Sequence, residues 1–413
     1  MEVEIFPITR VSSAMKAAQS LWLAAYRATC LFPSRKYSVT KHFIGHSNAQ
    51  FFIYFQNRSL HRSIPLKISA NESNFTVSYL INSCGLAPAT AVLTSQKVQL
   101  RSPERADSVI TLLINHGFSK SQISIIVRKR PLLLLASPKD TLLPKLKFFR
   151  SIGVSESDLA RIITRDPTLL ARSLKKHIIP SYNFLKGVLL SDEKVVAALK
   201  RTSWIFLADY SKNLIPNLAV LREVGAPESR IAFLLTHFPE ALIQKNEEFI
   251  KIVGEIKEMG FNPKKTTFVL AIHAMSGGAN KSIWKRCYEV YQRWGWSKED
   301  ILLAFTKHPN CMILSEDKIM KAMDFFVNKM GWPSGKIARC PAVLFLSLEN
   351  RIKPRCLVVQ VLLRKGLIKP LSLVTFLCPD ENHFLEKFVA KYEQEVPQLL
   401  SVYQKKVDIE SLI

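Results

Sequence analysis

The chain has 413 residues, with 58 Lys and Arg against 33 Asp and Glu, a formal surplus of 25 positive charges, and 48% of it is hydrophobic. That apolar share can build a sizeable core and excludes a chain disordered by composition, while so large a cationic surplus points to a polyanion, either nucleic acid or an anionic membrane face. The longest apolar runs, such as Leu132 to Ala136 and Ile301 to Phe305, fall far short of the roughly 20 residues that a membrane span needs, so no membrane insertion is expected.

The N-terminal stretch differs from the rest. No acidic residue lies between Glu4 and Glu72, whereas Arg10, Lys16, Arg27, Arg35, Lys36, Lys41, Arg58, Arg62 and Lys67 do. A basic, Ser-containing, acid-free leader is the profile of an organelle transit peptide. Residues 1–74 are therefore expected to be a transit peptide and disordered leader, with Met15 an alternative initiator to Met1. Composition hardly separates the two organelles; the mitochondrion is the expectation and the chloroplast the alternative. The seven cysteines (Cys30, Cys84, Cys287, Cys311, Cys340, Cys356, Cys378) are odd in number, widely spaced and without a C-x-x-C pair. They are expected to be small buried hydrophobes, with no disulfide framework and no metal site.

From about residue 76 the chain repeats itself. Gly117-Phe-Ser119, a helical run and Pro131-Leu-Leu-Leu134 recur as Gly153-Val-Ser155 leading to Pro167-Thr-Leu-Leu170. The frame returns at Gly225-Ala-Pro227 with Pro239, at Gly295-Trp-Ser297 with Pro309, and at Gly331-Trp-Pro333 with Pro341. The anchors fall at 131, 167, 203, 239, 275, 309 and 341; the first four steps are 36 residues, the next 34 and the last 32. Ser203 and Met275 stand at two anchors in place of proline. The short last step drops about one helical turn, which keeps the remaining side chains on the same face.

Each element of the unit has a physical reason. The glycines suit a left-handed C-cap. Ser119, Ser155, Ser191 and Ser297 are placed as N-caps, with Gln122, Asp158 and Asp300 three residues on as a capping box requires. Pro227, Pro263 and Pro333 replace the serine with a residue suited to a first helical turn. The anchor proline ends the helix, because the residue before proline avoids the α region. A second proline follows 13 residues later, at Pro144, Pro180, Pro216 and Pro354, and marks the start of the long helix that closes the unit. The apolar stripe between the prolines reads Leu134, Leu170, Phe206, Leu242, Gly278, Met312 and Leu344. One unit cannot bury this stripe alone, so units must stack. Ser276-Gly277-Gly278 breaks the stripe and reads as a loop or kink. Trp204, Trp284, Trp294, Trp296 and Trp332 are expected in the core.

This pattern, with its Gly-x-Ser/Pro opening, its x-Arg/Lys-x-Pro-x-Leu-Leu segment and its second proline, resembles the mitochondrial transcription termination factor (mTERF) family in its plant branch, over roughly residues 75–395. Phe75 to Gly85 resembles the opening segment of plant members. The resemblance implies an all-α curved solenoid, a superhelical half-ring of about eight helical repeats, whose basic inner face holds double-stranded nucleic acid. It also implies an organellar role in transcription termination or gene expression, with some relatives acting on RNA. Residues 396–413 are left as a C-terminal tail, and a monomer is expected.

The residue two before each anchor is Lys129, Arg165, Arg201, His237, His273, Lys307 and Arg339. Lys and Arg number 58 and His 9 in 413 residues, so seven matches in seven positions are far from random placement. Two readings compete. A cation favours the last turn of its own helix by about 0.3–1 kcal/mol; alternatively, stacked units set the cations in a row that follows a phosphate backbone. Either way the charges are expected to be exposed, so reversing three of them should leave the fold intact. Arg128, Arg130, Lys175, Lys176, Lys200, Arg351 and Arg355 join this candidate nucleic-acid-binding set.

No Walker loop, G-x-G-x-x-G or H-E-x-x-H is present, and Cys378-Pro-Asp-Glu-Asn-His383 shows no convergent orienting group. No catalytic residue and no cofactor are expected. The sequence reading is a non-enzymatic organellar factor binding double-stranded DNA for transcription termination or regulation. Two alternatives stay open: an RNA-binding factor for intron splicing or rRNA maturation, and an α-solenoid scaffold for acidic protein partners.

Overall fold

The computed structural model describes residues 70–404, and every regular element among them is a helix. The leader, with Cys30 and the expected transit peptide, lies outside the described residues. None of the described helices is long and apolar enough to cross a membrane. The chain divides into two compact units, one up to Lys251 and one from Ile252; the division falls within the helix Asn246–Glu258.

In the first unit the repeat is built as its spacing predicts. Ser119 caps the helix Lys120–Lys129 in a full capping box with Gln122. The helix stops at Arg130, and buried Pro131 opens the 3₁₀ helix Pro131–Leu135. The next unit repeats this with Glu156–Arg165 and Thr168–Ala171, and the third with Asp192–Arg201 and Ser203–Phe206. Glu228–His237 and Pro239–Ala241 begin the fourth. Leu134, Leu170, Phe206 and Leu242 are each at most 1% exposed, so the stripe does form the core, each side chain worth about 1.5–3 kcal/mol of burial. Phe149 and Phe206 meet edge-on at 5.9 Å across the stack.

The closing helix starts earlier than the second proline. Residues Pro138–Leu142 form one π turn, running without a break into Leu143–Ser151. Leu174–Ile178, Tyr210–Leu214 and Leu348–Ile352 do the same before Ile179–Leu189, Ile215–Glu223 and Lys353–Arg364. Proline has no N–H to give to the carbonyl four residues back. The wider turn bonds each N–H to the carbonyl five back instead, as Leu142 N does to Ser137 O at 3.2 Å and Ile178 N to Ser173 O at 3.1 Å.

The second unit holds Thr266–Met275 and Gly278–Arg293, then two further repeats. At Ser276-Gly277-Gly278 the short apolar helix is missing: Gly277, at φ 77°, turns the chain directly into the 16-residue helix. Lys298–Lys307 and Pro309–Ile313 restore the frame, and the shortened unit is Ser334–Ala338 with Pro341–Phe345. Pro227 and Pro333 sit at the N-cap, one residue before the first turn expected for them. Trp296 is 3% exposed and stacks on Tyr291 at 4.2 Å; Trp284 packs edge-on against Phe305 and Trp332 stacks on Phe326. Cys84, Cys287, Cys311 and Cys356 are buried free thiols, whereas Cys340 is half-buried and Cys378 exposed. Helical order continues past residue 395, where a tail was expected: Leu399–Tyr403 buries Leu399 and Val402, which makes this helix part of the fold.

Candidate nucleic-acid interface

The basic ladder is a chain of bonds between units. Lys129 donates to the carbonyls of Thr164 and Arg165, at 3.1 and 2.8 Å. Arg165 in turn donates to Lys200 and Leu199, at 3.1 and 3.3 Å. Arg201 Nε reaches the His237 carbonyl at 2.9 Å, and in the second unit Lys307 reaches that of Arg339 at 2.8 Å. Each cation thus caps the end of the following unit's helix, where the last carbonyls lack intrahelical partners. Of the two readings, the one that caps a helix end holds here, but for the neighbouring repeat's helix and not for the cation's own. Partial burial lowers the pKa of Lys129, reinforced by the Arg128 and Arg165 cations and opposed by Asp166. For Arg165 burial is again the main cause of a lowered pKa, followed by Arg161.

The remaining candidates differ in what they offer a ligand. Arg128, Arg130, Lys175, Lys176 and Arg339 are exposed, and of these Arg130 donates to Thr168 Oγ1 at 3.2 Å. Lys200 is held in an ion pair with Asp158 at 2.5 Å. His237 is exposed and lies against the rings of Phe233 and Phe238, and His273 is half-buried. Arg351 spends its guanidinium on the carbonyls of Leu377, Cys378 and Pro379. Arg355, expected on the binding face, is 1% exposed. Its guanidinium is committed to the carbonyls of Phe376, Leu377, Pro379 and Asp380, at 3.0, 3.3, 2.6 and 3.1 Å. A cation so enclosed is held by backbone and is not presented to solvent.

Arg355 belongs to a second row that the sequence reading missed. The residue after each second proline is Lys145, Ser181, Asn217 and Arg355. Lys145 is buried and bonds the Leu170 carbonyl; Asn217 is buried and bonds those of Leu242 and Gln244, both at 2.9 Å. These donors satisfy the ends of the next unit's short helix from inside the core. The missed signal was a polar residue after proline in the same frame. A second serine row also went unread: Ser137, Ser173 and Ser347 cap the π turns, Asp209 does so in the third unit, and Ser315 caps Glu316–Asp324.

Helix triplets stacked by two rows of inter-unit donors define a tandem helical-repeat protein. The mTERF family profile matches residues 110–275 and 238–385. The chain belongs to the mTERF family. Two curated relatives from Arabidopsis thaliana are similar to it. One is "Transcription termination factor MTERF8, chloroplastic", 24% identical over 135 residues, which are 33% of this chain and 27% of the relative. The other is "Transcription termination factor MTERF15, mitochondrial", 24% identical over 182 residues, 40% of this chain and 41% of the relative. The matched segments thus span less than half the length of either relative.

Proposed function

We propose that this protein is a non-enzymatic organellar factor that binds nucleic acid, with double-stranded DNA as its target and transcription termination or regulation as its role. The observation that carries the proposal is the cationic excess: a chain with a formal charge of +25 whose Arg128, Lys175, Lys176 and Arg339 side chains are exposed and form no ion pair among the described residues. Such a surface binds a phosphate backbone by releasing its counterions. Lys129, Arg201 and Lys307 stay exposed while donating to carbonyls, so they add to the same field. Arg130, Arg165, His237 and His273 stand beside them in the repeat register, and Lys200 and Arg351 contribute from more occupied positions. Membership of the mTERF family and the names of the two relatives, one chloroplastic and one mitochondrial, support an organellar, transcription-related role.

Equilibrium binding of the full chain to duplex DNA, duplex RNA and single strands of matched sequence tests this. Tightest binding to duplex DNA is expected. Preference for RNA moves the role to RNA processing, and absence of binding to all of them leaves a protein scaffold.

A further inference from the structure

The ladder gives out at its last seam. Lys307 reaches the Arg339 carbonyl at 2.8 Å, but Arg339 makes no such reach to the segment beyond it among the described residues. There the anchor pattern returns once more, and Cys340-Pro341 is followed by Cys378-Pro379. The helix Leu373–Leu377 ends at Cys378 and packs against Pro341–Phe345, which starts right after Cys340. Phe376 of that helix also meets Trp332 edge-on at 6.3 Å. The two cysteines thus hold matching places in adjoining repeats, where one packed short helix begins and the other ends.

Elsewhere in the chain, side chains in this place cross to the next repeat. Arg130 donates to Thr168 Oγ1 at 3.2 Å, Asp166 accepts from Ser203 Oγ at 3.0 Å, and His308 stacks on Phe345 at 4.2 Å. Cys340 is half-buried and Cys378 exposed. The backbone of Cys378 is held in position, its carbonyl accepting from Arg351 at 2.8 Å. The two sulfurs also lie within electrostatic reach of each other. Burial pushes the Cys340 thiol up, the charge of a Cys378 thiolate pushes it the same way, and the Val343 backbone and the Lys307 ammonium oppose. An accessible thiol beside a sheltered one is the arrangement in which an oxidised sulfur meets a resolving partner. Cys84, Cys287, Cys311 and Cys356 are buried, the usual state of an inert structural thiol.

We propose that Cys378 and Cys340 are an oxidation site, at which a hydroperoxide converts the facing thiols to a disulfide that staples the seam no ladder rung closes. The Cys378 thiolate attacks the peroxide, the O–O bond breaks, and Cys378 becomes a sulfenic acid as the peroxide's other oxygen leaves as water or an alcohol. The Cys340 thiol then attacks that sulfur, and its proton departs with the displaced hydroxide as water. The two thiols give up two electrons and two protons, and the hydroperoxide is the species reduced. The site stands apart from the nucleic-acid reading and does not rest on it.

Peptide mapping of the full-length protein, reduced and then treated with one equivalent of hydrogen peroxide, tests this. The wild type should yield a linked Cys340–Cys378 peptide as its main oxidation product, reversed by dithiothreitol. With dimedone present, C340S should carry about fivefold more sulfenic-acid adduct on Cys378 than the wild type, because the resolving thiol is gone. The crosslinked wild type should melt above its reduced form, with no such shift in C378S. C340A takes the place of C340S should that variant not fold. Equal adduct in the wild type and C340S, a linkage of Cys378 to another cysteine or to a second chain, or no oxidation of Cys378 overturns the pair. A crosslinked chain that melts no higher than the reduced one overturns the staple.

Discussion

The Lys129 ammonium lies 2.8 Å from the carbonyl oxygen of Arg165, the residue that holds the same place one repeat on. Arg165 makes the equivalent reach to Lys200 at 3.1 Å. A row first legible as a stripe of charges is therefore also a row of seams. Four of its seven rungs, Lys129, Arg165, Arg201 and Lys307, close the backbone of the next repeat, and the charge left over is available to a polyanion.

This changes what a ladder substitution should do. Arg165 is half-buried and donates to two carbonyls, whereas Arg339 is exposed and makes no such reach. Arg165→Ala should destabilise by about 1–3 kcal/mol in urea unfolding, the range for charge-assisted bonds to groups left wanting. Arg339→Ala should fall within about 0.5 kcal/mol of wild type. Equal effects at the two positions would mean that the seam bonds contribute nothing.

Leu170 is 1% exposed beneath the anchor Pro167. Leu170→Ala should cost about 2–5 kcal/mol, the usual range for truncating a buried leucine. A melting curve that superimposes on that of the wild type would remove the stripe from the core.

Leu190 has φ 56° and is 83% exposed. It ends its helix in the left-handed conformation that glycine supplies at Gly117, Gly153 and Gly225. A side chain there is strained and buries almost nothing. Leu190→Gly should therefore stabilise the fold by about 0.5–1 kcal/mol, read as a higher denaturation midpoint; a lower midpoint would show that Leu190 packs in solution.

Asp158 has its pKa lowered far below the ordinary 3.8, first by the bond from Lys200 and then by those from Arg161 and Ser155. Its folded-state pKa is depressed, so its contribution is fully present above the unfolded value and is lost as pH falls below about 4. Asp158→Asn should be less stable than wild type at pH 6, and the gap should narrow steadily toward pH 2. A gap that stays constant over that window would mean the ion pair adds no pH-dependent stability.

The repeat frame was legible because Gly, Ser and Pro each mark one backbone state: Gly153 at φ 94°, Ser155 on the Asp158 N–H and buried Pro167 all lie where their spacing puts them. What went unread depends on the direction of long side chains. Sequence periodicity places Lys129 at a helix end but cannot say that its ammonium crosses to the neighbouring unit. Nor does it separate Arg351 and Arg355 from solvent-facing arginines, since their guanidiniums are taken up by carbonyls of residues 376–380, outside the regular frame, and that of Arg355 is buried there. The π turns were hidden for a related reason, because proline signals a break in α bonding without saying whether the chain ends there or widens by one residue.

The most direct measurement of the central claim is the affinity of the full chain for a duplex DNA across a salt series from about 50 to 200 mM. A row of cations that tracks a phosphate backbone predicts log affinity falling linearly with log salt, at about 0.9 units of slope per neutralised phosphate, and therefore a slope of several units. An affinity that is absent, or that stays level across the series, would contradict the account.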